Sequence, residues 1–115
     1  MNIKALAEQM GLDEPEYADL LQLFVDTSAT DLIKLEQAVS KGGSAAAAAA
    51  AHSLKGASLN MGLTEFAEIA GQSAAAIRQG DMAGALPCIH KMNQLLDEVA
   101  RLIGPGTASA RSRRG

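Results

Sequence analysis

Residues 44–62 read SAAAAAAAHSLKGASLNMG, and this stretch decides the fold class. Alanine is the best helix former, so the seven alanines at 45–51 predict a helix. Ser44 is expected to cap its start, and the helix should continue through His52 and end before Gly62. The centre of the chain is therefore helical.

The preceding residues predict a longer amphipathic helix. Asp13 is its expected cap, Pro15 is tolerated in the first turn, and Glu16 stands three residues after the cap. The helix should continue to about Lys41 and end at the glycines 42–43. Its apolar stripe steps by three or four residues: Tyr17, Leu21, Phe24, Ser28, Leu32, Leu35 and Val39.

Helices are also predicted on either side of this pair. A short first helix should span about residues 3–10. Thr64 is expected to cap a fourth helix that runs to about Gln79, and Asp81 is expected to cap a fifth. The fifth helix carries its own stripe: Leu86, Ile89, Met92, Leu95, Leu96, Val99 and Leu102.

The connections between these helices are short, and no alternating strand pattern is present. The expected fold is all-α: an up-and-down antiparallel four-helix bundle with a short extra N-terminal helix, over residues 1–104. Pro87 removes one backbone donor, so a kink or an irregular turn is expected near residues 83–87. Residues 105–115 are small, polar and basic, which predicts a disordered tail.

The charge of the chain is unevenly distributed. The 115 residues carry 13 acids and 10 bases. Three of the bases are arginines within the last five residues, so residues 1–104 hold seven bases against 13 acids, a net charge of −6. This net negative charge of residues 1–104 argues against nucleic-acid binding as the main role of the protein.

The sequence also limits the cellular setting. Cys88 is the only cysteine, which excludes an intramolecular disulfide and a cysteine-based metal site. No apolar stretch is long enough to span a membrane, and the N-terminus has no signal-peptide pattern. A cytoplasmic monomer without membrane contact is expected, and Met1 at the edge of the first helix favours a free-standing protein.

His52 is predicted to face solvent. At about 100° per residue, Leu54 falls opposite the imidazole, on the core side of the helix. Five residues fall within about 60° of His52: Ala48, Ala49, Lys55, Gly56 and Leu59.

A lone histidine or lysine on a helix is most simply a surface residue without a specific function. Gly56 favours a functional site instead. Glycine in mid-helix costs about 1 kcal/mol relative to alanine. Alanine is used freely on both sides of it, so the absent side chain points to a need for open space next to His52.

These residues resemble the histidine-containing phosphotransfer (HPt) domain of bacterial and plant-type phosphorelays. The similarity lies in residues 51–58, AHSLKGAS, followed by Gly62 at the helix end. It extends over about residues 10–103, and the four-helix bundle of that family agrees with the helices predicted above.

The resemblance implies that His52 is the phosphorylated residue. Lys55 would neutralise the phosphoryl group, and Gly56 would keep the approach clear. The group would come from a receiver-domain phospho-aspartate or a histidine kinase and pass to a response-regulator aspartate. The chain would be a carrier rather than an enzyme, without a cofactor of its own, since Mg²⁺ would belong to the receiver. The sequence shows no glycine-rich phosphate loop.

A residue of the fourth helix is expected to orient the imidazole. If the third and fourth helices form a hairpin about Gly62, Gln72 lies level with His52, and its amide could hydrogen-bond the ring. A solvated surface glutamine is the alternative. In many relatives an amide near the histidine comes from a position that corresponds to Ala74 here.

Partner docking is expected on the surface around His52. Ala48, Ala49 and Leu59 would form a small apolar patch there, with Met61 or Leu63 as further candidates. The interface should be modest, because a carrier must release each partner.

Two other functions are compatible with a helical bundle. The first is an interaction module that docks receiver or kinase domains without phosphotransfer. The second is a metal-dependent enzyme, which would need Glu or His ligands facing inward from several helices. The predicted inward stripes are apolar, and the other histidine, His90, is interpreted as a surface or packing residue.

Overall fold

The computed structural model describes residues 2–103, which form five α-helices. Their bounds are α1 Ile3–Gln9, α2 Glu14–Ser40, α3 Ser44–Asn60, α4 Thr64–Arg78 and α5 Met82–Ile103. Each of α2 to α5 packs against its neighbours in sequence, and α5 closes the ring by packing on α2, while α1 rests against α2. The expected four-helix bundle with an extra N-terminal helix is confirmed; the predicted basic tail lies outside the described residues.

The predicted start of α2 is confirmed in detail. The Glu16 amide donates to the Asp13 carboxylate at 2.9 Å, and the Glu16 carboxylate accepts from the Asp13 amide at 3.3 Å. This capping box satisfies two donors that the helix start would otherwise leave free. Asp81 similarly accepts from the Gly84 amide at 2.8 Å at the start of α5.

The predicted caps at Ser44 and Thr64 are wrong by one position. Gly43 and Leu63 occupy the N-cap positions, neither with a side-chain cap hydrogen bond. Gly42 and Gly62 adopt positive φ angles of 72° and 73°, and the next amide returns to the preceding helix, as in Leu63 N–H to Ser58 C=O at 2.9 Å. Gly43 and Leu63 each close the preceding helix and also cap the next one. Ser44 and Thr64 are therefore the first residues of their helices rather than the caps.

Pro87 does not interrupt α5. Every residue from 82 to 103 is α-helical, so the irregular turn expected at 83–87 is wrong. The proline lies in the second turn, where it removes only one hydrogen bond of a long helix that is anchored by its apolar stripe. A kink without a break stays a prediction.

The core is aliphatic and small, as the composition requires. Phe24 of α2 and Phe66 of α4 pack edge to face with ring centroids 5.5 Å apart. The buried hydroxyl of Tyr17 donates to the Met61 carbonyl at 2.8 Å, and burial raises the pKa of this tyrosine. The contact connects the start of α2 to the end of α3. The other largest wholly buried side chains are aliphatic and are distributed along the bundle: Leu21, Leu32, Leu35, Leu54, Ile77, Met92 and Leu96.

Candidate functional site around His52

His52 lies on the exposed face of α3, as predicted, while Leu54 is wholly buried on the opposite face. Alanines do most of the packing beneath it, since Ala47 and Ala51 have no exposed surface. Small side chains of this kind allow helices to pack closely.

The α2 side of His52 is fixed by a hydrogen bond. Ser53 Oγ donates to Asp31 Oδ2 at 3.0 Å, which joins the residue after the histidine to α2. Ser53 projects about 100° from His52 around the helix, so this bond leaves the imidazole free. It also holds the carboxylate of Asp31 next to α3, and a neutral hydroxyl donor does not cancel the charge of that group.

The α4 side of His52 is occupied by Lys55. A Cβ built on Gly71 would lie 3.8 Å from both Cδ and Cε of Lys55, and 3.9 Å from its Nζ. The lysine side chain therefore lies against α4 at Gly71, a position without a side chain. His52 stands between this lysine and Ser53, with an open surface above it.

Gly56 is open, as its place on the helix predicts. A Cβ built there would meet nothing within 4 Å, and the residue is exposed. Close helix packing therefore does not explain this glycine. Its expected role in keeping the approach to His52 clear stays a prediction.

Gln72 is exposed and lines the same surface groove as Lys55. Its role in orienting the imidazole stays a prediction. Ala74, the position suggested by the resemblance, is buried and carries no polar group. The groove between α3 and α4 is lined by Lys55, Leu59, Thr64, Ala67, Glu68, Gly71, Gln72 and Ala75.

The expected apolar patch is partly wrong. Ala49 is exposed, Ala48 is half-buried, and Leu59 is 53% exposed, so all three reach the surface. Met61 and Leu63 do not, because both are buried beneath the turn that connects α3 to α4. That turn folds the chain inward around Gly62 and carries their side chains into the core.

Two exposed leucines of α2 extend the patch and were not predicted from the sequence. Leu20 is 45% exposed and Leu23 is 60% exposed. At about 100° per residue they fall within about 80° of Asp31, on the edge of α2 that borders α3. The hydrogen bonds of Tyr17 and Asp31 place this part of α2 alongside residues 53–61. Both leucines lie outside the predicted core stripe of α2. This sequence feature could have identified them as exposed apolar residues.

Charge is also distinctive around His52. Both signs of charge border α3: Lys55 lies on the helix itself, Asp31 of α2 is hydrogen-bonded to Ser53, and Glu68 of α4 lines the groove of Lys55. The helix α3 itself contains no acid. An anion placed on His52 would therefore meet no carboxylate from its own helix.

Other kinds of site find little support within residues 2–103. No group of three or more His, Cys, Asp or Glu side chains in this part of the chain could hold a metal ion. His90 is exposed on α5, in a surface groove shared with Glu36 and Asn93. None of the helices in the described range is long and apolar enough to cross a membrane.

Comparison with known proteins gives one match. The model of the Hpt domain family matches residues 19–102, which include α3, α4 and most of α2 and α5. No curated protein and no solved structure gives a significant match.

Proposed function

Because the chain belongs to the Hpt domain family, whose members carry phosphoryl groups and are not kinases, we propose that His52 is the residue that carries the group. The observation that supports this most strongly is the arrangement around the imidazole. It is exposed on a helix without acids, with Lys55 on one side and the open Gly56 one turn later.

The transfer step follows from the geometry of the side chain. Nε2 is the expected nucleophile, because it is the ring nitrogen farther from Cβ and therefore from the helix. Its lone pair attacks phosphorus in the aspartyl phosphate of a receiver domain. The P–N bond forms as the P–O bond to the aspartyl carboxylate breaks, and the carboxylate leaves as an anion. The reverse step delivers the group to a second receiver, and a histidine kinase is the other possible donor.

Positioning and charge supply most of the catalysis in such a step, because the transition state of phosphoryl transfer is loose. The Lys55 ammonium offsets the charge of the phosphoryl oxygens, and Gly56 leaves room for them. The attacked aspartate and its Mg²⁺ belong to the receiver, so this chain contributes the nucleophile, the cation and the docking surface.

Docking uses the apolar patch, now defined as Ala48, Ala49 and Leu59 of α3 with Leu20 and Leu23 of α2. The patch borders His52 on both sides along the helix. It is small, which suits a partner that must dissociate after each transfer.

The test is transfer from a phosphorylated receiver domain. The wild-type protein should acquire phosphate that is labile in acid and stable in base, the signature of a phosphoramidate. The His52→Gln variant should acquire none, and His90→Gln should acquire as much as the wild type. Label retained by His52→Gln would refute the assignment.

The same experiment separates the alternative function. An interaction module without phosphotransfer would bind the receiver and take no label. Receiver binding measured in parallel on wild type and His52→Gln distinguishes the two, since the patch is intact in both proteins.

A further inference from the structure

Gly71 is a second mid-helix glycine that helix propensity does not explain. It lies in the middle of α4, where the neighbouring small positions are alanines: Ala67, Ala70, Ala74, Ala75 and Ala76. Glycine at such a position costs about 1 kcal/mol relative to alanine. Its φ is not positive, so no turn requires it.

The nearest neighbour of Gly71 from another helix is the side chain of Lys55. The three nearest atoms to a Cβ built there, apart from the backbone of α4 and the adjacent residues, are Cδ, Cε and Nζ of Lys55, at 3.8 to 3.9 Å. A methyl group would thus make ordinary contact with the lysine, whereas a longer side chain would occupy the space in which the lysine lies. This glycine is different from Gly56, which meets nothing.

The contact shows which way Lys55 leans. Counting equally from Gly62, Lys55 is level with position 69 of α4, and His52 is level with position 72. A lysine that touches Gly71 is therefore displaced by two residues, about 3 Å along the helix axis, toward the level of His52. Side chains of an α-helix tilt toward its N-terminus, so this lean agrees with helix geometry.

We propose that Gly71 is a positioning residue, which keeps open the space along α4 through which the Lys55 ammonium reaches the level of His52. This inference rests on the proposed function of His52 and Lys55. Gly71 contacts neither the phosphoryl group nor the partner; it acts through the lysine. A long side chain at 71 would push the ammonium away from α4 and weaken charge compensation during transfer.

The test is a double-mutant cycle on the rate of transfer from a phosphorylated receiver. Gly71→Leu should slow transfer nearly as much as Lys55→Ala does. In the Lys55→Ala background, Gly71→Leu should change the rate by less than about twofold, since a residue that acts only through the lysine has no further effect. Gly71→Ala, which retains ordinary contact, should transfer at close to the wild-type rate.

Two outcomes would overturn the inference. One is an equal slowing by Gly71→Leu with and without Lys55, which would mean that the leucine disturbs the fold or the docking. The other is an unchanged rate in Gly71→Leu. Thermal unfolding of each variant identifies a loss of structure, and Gly71→Gln provides a second long side chain of different polarity.

An independent readout separates this inference from the proposed function. In the unphosphorylated wild type, nuclear Overhauser contacts should connect the Lys55 side-chain methylenes to the Gly71 α-protons. Their absence would refute the positioning role even if His52 is phosphorylated. A wild-type protein that shows the contacts but takes no label would refute the proposed function instead.

Discussion

The two histidines of this chain provide a comparison within one molecule. Both are exposed and both lie on helices, His52 on α3 and His90 on α5. They differ in what surrounds them. His52 stands on a helix without acids, whereas His90 shares its groove with Glu36, which accepts a hydrogen bond from Asn93 at 3.0 Å. Exposure alone does not make a histidine a suitable site for an anionic group. Suitability also depends on the charges next to the imidazole and on the room left by neighbouring side chains.

The lysines near the two histidines sharpen the contrast. Lys55 follows His52 by three residues, which brings it to the same side of the helix. Lys91 follows His90 directly and therefore projects about 100° away. Only the first spacing allows a cation to act next to the imidazole.

The largest difference is expected from removing these lysines. Lys55→Ala should slow phosphoryl transfer by about ten- to a hundredfold, because a charge-assisted hydrogen bond to the phosphoryl oxygens contributes about 1.5–3 kcal/mol. Lys91→Ala should leave the rate unchanged. Single-turnover transfer from a phosphorylated receiver measures both, and equal rates in the two variants would remove Lys55 from the mechanism.

A smaller difference is expected from the exposed leucines. Leu23→Ser should weaken receiver binding by about 1 kcal/mol, about fivefold in affinity, because the side chain loses apolar burial at the interface. Leu86, which is 54% exposed and lines the groove of His90, provides the matched control. Titration calorimetry with the receiver should show no change for Leu86→Ser. Equal weakening by both substitutions would mean that docking is not centred on α2 and α3.

The smallest difference is expected from two helical glycines. Gly56→Ala should raise the free energy of unfolding by about 1 kcal/mol, since the site is open and alanine favours the helix. It should slow transfer by less than Lys55→Ala, through a methyl group near the incoming phosphoryl oxygens.

Gly84, at the start of α5, is the control for that effect. A Cβ there would collide with the Asp81 carboxylate that caps the helix, so disturbance of the cap, about 1 kcal/mol, should cancel the gain in propensity. Urea denaturation compares the two variants. Destabilisation by Gly56→Ala would show that this glycine serves packing rather than access.

Local rules predicted most of the fold and the centre of the site. The alanine run, the Asp13 capping box and the apolar stripe of α2 depend on residues within a turn or two of one another, and the structure confirms them. The exposure of His52 and Gly56 followed from the same periodicity. Short-range geometry was sufficient because α3 is regular.

The remaining features depend on how helices meet. The N-cap residues of α3 and α4 lie one position before the predicted ones. The reason is that a single residue closes one helix and begins the next. Met61 falls about 180° from His52, so its burial agrees with the helical periodicity, which argues against it as a docking residue. Leu63 lies beyond the end of α3, where that periodicity no longer applies, and the turn buries it. The contact of Lys55 with Gly71 joins two helices, so neither helix predicts it alone.

The most direct test of the central claim is to locate the phosphoryl group. Trypsin cleaves after Lys41 and Lys55 and after Arg78 and Lys91, so His52 and His90 fall in different peptides, residues 42–55 and 79–91. The wild-type protein, phosphorylated by a receiver and digested at neutral to basic pH, is analysed by mass spectrometry. The phosphoryl group should be found on residues 42–55, with fragmentation that places it on His52. A phosphoryl group on residues 79–91 would contradict the assignment.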